Sequence, residues 1–559
     1  MQRRSKGRAA SPSPLVAKLA CFSALALSAC LPACIGHIGD GGENAAEGVL
    51  TLAPPALPRL TATQYRNVVV DLLGTSPPKL GLEDDTKPFL FYNIGASTTT
   101  LSELGTQQYE ESADAVTRAI FSDPARRAAL VGCEPAAPGD ACVEGFLKSF
   151  GRRVLRRPLS AEELGRWVSI STTLAQPDVW EGVRLAVAGL LQSPYFLYRV
   201  ENGTPDDATP GRRKLSGFEI ASKLSFLLWN TGPDKALLDA AEQGELDTPE
   251  GIVHSAERLL DSPRAREAMR TFFRQYLDLG RLDGITRDPL TYPQFTPGMT
   301  DAMRKEVELL VEDVVFETQG DARSIFSTRR TFVNADLAAL YGVDAPGATA
   351  TDFVPVELPA EGPRAGILTL GAFLTMNAHE TRTSPTARGK YLRERVLCLE
   401  VPPPPPGVST ELNPPSGNTP QTVREQLEEH RKNPACAACH QFMDPPGYLF
   451  EHFDSAGAYR TTQSSPNGDL PIDSSGDLDG NPLADARELA TKLETDPRVG
   501  QCMTLQLYRH ALGRLETKGE KLALEDLSSR FASASFDFRT LLIELVQHDA
   551  FRYVGEEAP

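Results

Sequence analysis

The sequence predicts a mainly α-helical fold built from several helical modules in series. Three observations lead there. The pattern Leu-[Ser/Thr]-x-x-[Glu/Gln]-apolar occurs at Leu60–Tyr65, Leu159–Leu164 and Leu215–Ile220. Each copy joins a capping box to a hydrophobic staple: the hydroxyl accepts from the N3 amide, the Glu or Gln side chain returns to the cap amide, and the two apolar residues pack. Apolar residues recur at helical period through much of the chain. Strand signals are confined to Phe353–Leu358 and a hairpin expected around Leu470–Leu478. At 559 residues, roughly 150 per domain suggests three or four domains.

The elements follow in order. Met1 to Arg8 is basic and Leu15 to Ala33 is short, apolar and small, as in an export signal removed after use. Leu27-Ser28-Ala29-Cys30 resembles a bacterial lipobox, and Leu31-Pro32-Ala33-Cys34 follows at once. Residues 1–34 are therefore read as a lipoprotein signal with Cys30 or Cys34 as the lipidated cysteine, the alternative being an ordinary cleaved signal. Residues 35–56 are read as a Gly- and Pro-rich tether. The first helix should carry Tyr65, Val68, Val69, Leu72 and Leu73 on one face and stop at Gly74. Ser262-Pro263 should open another, with Met269, Phe272, Phe273 and Tyr276 inward. Further helices are expected near 301–318, 386–398, 421–432, 484–494, 499–512, 519–532 and 538–552. A polyproline linker spans Val401 to Pro420. The modules are bounded at 57–125, 133–205, 212–345, 355–462 and 480–555.

Charge excludes one class of partner. Lys and Arg total 57 against 74 Asp and Glu, for a net charge of −17. Five of the basic residues sit in the first 30 positions, so the body is more acidic still. With no basic stripe to offset that field, a nucleic-acid partner is not expected.

The nine cysteines sort by position. Cys21, Cys30 and Cys34 belong to the export segment. Cys133 and Cys142 flank a Pro/Gly loop and can close a disulfide in an exported protein. Cys398 and Cys502 lie in separate helical stretches and are expected to pair, with buried thiols as the alternative. Cys436-Ala437-Ala438-Cys439-His440 remains, and C-x-x-C-H is the attachment motif of c-type haem. Two thiols three residues apart can add to the two vinyl groups of one porphyrin, and His440 is then placed to ligate iron. No βαβ pattern surrounds the pair, which disfavours a thioredoxin-like redox site. Zinc is the competing cofactor, through His430, Cys436, Cys439 and His440 or His452. A plain disulfide or a reduced pair is the third possibility.

The motif's surroundings carry a resemblance. His430-x5-Cys436-x2-Cys439-His440-x3-Asp444-Pro445-x-Gly447, followed by Glu451-x-Phe453-Asp454-x2-Gly457-x2-Arg460, resembles bacterial exported proteins grouped with the planctomycete-type cytochrome c proteins. Their modules are domains of unknown function 1587, 1595, 1592, 1588 and 1585. Leu60–Gly74 resembles the first, Phe146–Leu164 the second, Leu215–Asn230 the third, Arg364–Arg460 the fourth and Cys502–Arg514 the fifth. The resemblance implies a cytochrome c-like module with the CxxCH motif in the C-terminal half, holding one haem c. It implies electron transfer or an oxidoreductase reaction with an unknown redox partner, in the periplasm or at the cell surface. Some members carry an additional N-terminal cytochrome domain; this sequence does not, so no relay through a second haem is expected. The rival class is a non-redox surface-binding or structural protein whose CxxCH holds zinc or is a relic.

Other residues weigh as follows. Met503, His430, His452 and His510 are candidate distal ligands, and Arg460 is a candidate partner for a haem propionate. An open distal site would favour small-ligand chemistry. Asp444, within Asp-Pro-Pro-Gly, reads as a turn residue rather than a member of a carboxylate set with Glu451 and Asp454. Asp473, Ser475, Asp477 and Asp479 resemble a calcium loop, but Ala484 stands at its twelfth position.

Overall fold

All three Leu-Ser/Thr signatures open helices. Helices Ala62–Leu73, Ala161–Thr173 and Gly217–Leu228 each begin with a complete capping box, at Thr61/Gln64, Ser160/Glu163 and Ser216/Glu219. The first buries Tyr65, Val68, Val69, Leu72 and Leu73 and ends at Gly74 in the left-handed conformation. Helix Pro263–Tyr276 has Pro263 in its first turn and Ser262 as cap, with Met269, Phe272, Phe273 and Tyr276 buried. These residues belong to a computed structural model that describes positions 50–75, 81–403, 421–464 and 468–556. The signal segment with Cys21, Cys30 and Cys34, most of the tether and most of the polyproline linker lie outside the described residues.

Helices dominate what is described. Two of the expected ones widen near their ends: Met299–Glu312 runs into a π-helical stretch at Asp313–Thr318, and Pro385–Tyr391 into another at Leu392–Val396. The remaining expected helices appear at Val423–His430, Ala486–Thr495, Pro497–Leu512, Lys521–Ser533 and Phe538–Gln547.

The strands are short and antiparallel. Val354–Glu357 pairs with Arg330–Val333. The hairpin expected within 470–478 does not form. Leu470–Pro471 pairs back onto Thr462–Gln463, while Gly476–Leu478 pairs forward onto Asn481–Leu483 across Asp479 and Gly480. Both of those residues have positive φ, which suits the tight turn there. A three-stranded sheet joins Thr204–Pro205 and Arg212–Lys214 to Tyr553–Gly555. The Gly555 amide also donates to the Ala53 carbonyl at 2.7 Å.

Two large apolar cores result. One is built from residues 60–73, 109–155 and 180–197; the other runs from residue 215 to residue 554 and also takes in Leu90, Phe91 and Ile94. Helix Gly217–Leu228 serves both, giving Phe226 to the first core and Ile220, Leu224 and Leu228 to the second. A small third cluster of Val423, Leu427 and Tyr448 lies between helix Val423–His430 and the next helix.

Candidate functional site

The CxxCH motif lies on helix Pro434–Tyr448. Helix Val423–His430 ends just before it, and Pro434 prevents the two from running on as one. Cys436 is buried, Cys439 is half-buried, and both thiols are unpaired. The other four described cysteines are joined, Cys133 to Cys142 and Cys398 to Cys502. Positions 436, 440, 443 and 447 follow the i, i+4, i+7 spacing of one helix face. Accordingly Cys436, Met443 and Gly447 are buried, and His440 is 20% exposed.

The helix continues through Asp444-Pro445-Pro446-Gly447, so Asp444 is not the turn residue that the sequence suggests. Its neighbours supply the reason. Pro446 has no N–H for the Phe442 carbonyl one turn earlier, and Arg393 Nε donates to that carbonyl instead. Arg393 comes from the π-helical stretch after helix Pro385–Tyr391. Its guanidinium also pairs with Asp479 at 2.6 Å.

Helix Pro385–Tyr391 meets the motif helix backbone to backbone. A Cβ on Gly447 would stand 1.9 Å from the Pro385 carbonyl oxygen, and one on Gly389 would stand 1.7 Å from that of Met443. Only glycine fits at either position. Arg388, fully buried on the same helix, donates to the carbonyls of Phe450 (2.7 Å), Phe453 (2.9 Å) and Asp454 (2.9 Å). It therefore satisfies acceptors just beyond the motif helix, where the helix dipole favours a cation.

This crossing brings Asp444 to the motif. Its carboxylate has zero side-chain exposure. Thr386 Oγ1 donates to Oδ1 at 2.7 Å, and His440 Nδ1 lies 3.0 Å from Oδ1 and 3.1 Å from Oδ2. A buried carboxylate needs donors, and here they are a hydroxyl and the imidazole Nδ1–H. Sequence reasoning gave Asp444 a turn role and did not single out Thr386. The i, i+4 spacing of His440 and Asp444 was the available signal.

The other candidate residues are distributed as follows. His430 sits against His440, ring centroids 4.8 Å apart and edge to face. Burial and the neighbouring His440 hold it below the ordinary histidine value. His452 donates from Nδ1 to the Arg460 carbonyl at 2.9 Å and lies beside the Tyr459 ring. His510 is enclosed in the large core by the rings of Phe91 and Phe272. Burial drives it down to about 3, with Arg199 adding to the effect. Met503 is fully buried in the same core. Neither His510 nor Met503 is on the motif helix or the helix before it.

Arg460 turns towards Glu451, at 4.0 Å, and Arg388 approaches that carboxylate at 3.7 Å. Thr383 Oγ1 donates to Glu451 at 3.0 Å. Burial raises Glu451 above the usual carboxylate value against the pull of both guanidiniums. Asp454 caps the turn that follows, accepting from the amides of Ala456 and Ala458. The three carboxylates thus have separate duties and form no catalytic set. A cleft of about 300 Å3 lies beside Glu451, lined in part by Arg424, Glu425, Glu428, Glu451 and Asp473. With four carboxylates to one guanidinium, it is a poor seat for haem propionates.

Among the described residues no group of three or more His, Cys, Asp or Glu side chains is arranged to hold a metal ion. A Cys2His2 zinc site from His430, Cys436, Cys439 and His440 would require those side chains to rearrange. The calcium-loop residues are also engaged elsewhere: Asp473 and Asp477 accept from the amides of Ser475 and Gly480, and Asp479 pairs with Arg393 and Arg498. No helix among the described residues is long and apolar enough to cross a membrane.

Five family models match the chain in succession. Each is described as a protein of unknown function: DUF1587 over residues 59–122, DUF1595 over 142–201, DUF1592 over 215–343, DUF1588 over 364–463 and DUF1585 over 479–551. The CxxCH motif and its Arg388, Arg393 and Asp444 supports all fall within the DUF1588 match. No curated protein and no solved structure matches the chain. Five such domains in this order make the chain a member of the planctomycete-type, cytochrome c-like multidomain family.

Proposed function

We propose that the protein is an exported, lipid-anchored c-type haem protein acting in electron transfer or an oxidoreductase reaction. The observation that carries this reading is the pair of unpaired thiols, Cys436 and Cys439, one helical turn apart beside His440. The other described cysteines are all in disulfides, which suits an oxidising compartment. Two neighbouring free thiols would be prone to oxidation there, and thioether bonds to haem would protect them.

The residues present fit the group chemically. Each thiol S–H can add across one vinyl group, so no leaving group is needed. His440 Nδ1 is occupied by Asp444, which leaves Nε2 as the ring nitrogen for iron. Bound haem supplies one-electron exchange at iron. The chain's own groups attach it, orient the imidazole through Asp444, and hold the motif helix through Arg388 and Arg393. Lipidation at Cys30 or Cys34 would add two or three acyl chains, enough for stable membrane attachment. The redox partner would then be met in the periplasm or at the cell surface.

The test is direct. Full-length protein made in a host with active c-type maturation should show a haem-stained band on a denaturing gel and one iron per chain. Cys436→Ala with Cys439→Ala should remove the band. Zinc at one per chain without Soret absorption would replace this reading with the non-redox alternative, which the contact of His430 with His440 favours.

A further inference from the structure

We infer that Asp444 is a positioning residue for His440, fixing its tautomer and strengthening Nε2 as a donor to iron. This rests on the haem reading for its consequence, but the tautomer is a property of the chain alone. Asp444 lies one helical turn beyond His440 and has zero side-chain exposure. Both carboxylate oxygens lie within 3.1 Å of His440 Nδ1. The carboxylate can only accept, so the proton lies on Nδ1 and the lone pair on Nε2.

The carboxylate is itself held from outside the motif. Thr386 Oγ1 donates to Oδ1 at 2.7 Å. The glycine crossing at Gly389 and Gly447 brings Thr386's helix within reach. A carboxylate behind a ligating imidazole makes the ring a stronger donor. Stronger donation favours the ferric state and lowers the midpoint potential. Two substitutions should therefore act with opposite signs. Asp444→Asn removes the negative charge and should raise the potential. Thr386→Val removes a donor that partly neutralises the carboxylate, and should lower it. Loss of structure alone would not give opposite signs.

Two measurements test this on the full chain. The first uses Cys436→Ala/Cys439→Ala protein, which has no thiol to attach haem, with 15N-labelled histidine. Long-range 15N–1H correlation should show His440 as the Nδ1–H tautomer, and adding Asp444→Ala, which leaves Nδ1 without that acceptor, should abolish the preference. A His440 found as Nε2–H with Asp444 intact overturns the inference, whether or not the protein ever carries haem. The second is a redox titration of haem-loaded protein. Asp444→Asn should keep the haem-stained band and shift the ferric/ferrous equilibrium about tenfold towards ferrous, about 59 mV for one electron. Unchanged potentials, or shifts of the same sign in both variants, overturn the inference. Absence of haem from wild-type protein defeats the functional reading instead, and the tautomer measurement still decides the role of Asp444.

Discussion

Replacing Gly447 by Ala should destabilise the protein, although helix propensity alone predicts the reverse. Gly447 lies inside a helix, where exchange for Ala ordinarily stabilises by about 0.5–1 kcal/mol. Here the new Cβ would stand 1.9 Å from the Pro385 carbonyl oxygen, whereas an ordinary C···O contact is about 3.3 Å. The two helices must separate by about 1.4 Å to restore it. That movement would stretch the 2.7 Å bond from Thr386 to Asp444 to about 4 Å, beyond hydrogen-bond range. A buried carboxylate losing a donor costs about 1–3 kcal/mol, and overpacking adds a further 1–3 kcal/mol or so. After the propensity gain, the net loss is about 1–5 kcal/mol. Urea unfolding of the full chain followed by circular dichroism reads this as a lower midpoint. Gly165→Ala is the matched control: it lies inside helix Ala161–Thr173 with nothing within 4 Å of the added Cβ. It should stabilise slightly. A Gly447→Ala protein as stable as wild type would refute the argument that backbone contact sets this crossing.

Three other outcomes are expected. Glu306 is fully buried, accepting from Tyr341 and Thr331 at 2.6 and 2.7 Å, and burial pushes it up to about 7 from 4.5. Because its folded value is raised, its contribution is complete below pH 4.5 and is lost as pH rises towards 7, by about 3 kcal/mol; stability curves of wild type and Glu306→Gln that stay parallel between pH 4.5 and 7 would contradict this. Removing the Cys398–Cys502 link, which closes a separation of 104 residues, should cost about 4–5 kcal/mol on the chain-entropy account, measured as a fall in thermal midpoint for Cys398→Ala/Cys502→Ala. Cys30→Ala with Cys34→Ala should move the protein from the membrane fraction to the soluble one, and a double variant with wild-type detergent behaviour would rule out the lipobox.

Local features of this fold were legible in the sequence. Capping boxes, the Ser262-Pro263 start and the inward face of the first helix involve partners three to eight residues apart, so spacing alone carries them. The CxxCH motif was legible for the same reason, as both thiols and the imidazole occupy five consecutive residues. One error came where a distant group decides local structure. Asp444-Pro445-Pro446-Gly447 has the composition of a turn, yet Arg393, 49 residues from Phe442, takes over the carbonyl that Pro446 leaves without a donor. The hairpin expected around 470–478 split for a local reason, each half pairing with a neighbouring strand outside that stretch.

By itself, then, the sequence determined the helical class, where most helices begin, and the residues that point to haem. Only the tertiary structure decided what stands behind those residues. Asp444 receives Thr386 from 58 positions away, and Arg388 reaches carbonyls 62 to 66 positions on. Five matched modules share two large cores, with Phe91 and Ile94 of the first module packed among residues of the last three. The strand at Tyr553–Gly555 completes a sheet begun at Thr204. Periodicity and capping are written in short-range order because a helix hydrogen-bonds to itself. Contacts between helices depend on which backbones can touch, and that is settled by shape, at glycines such as Gly389 and Gly447, once the chain has folded.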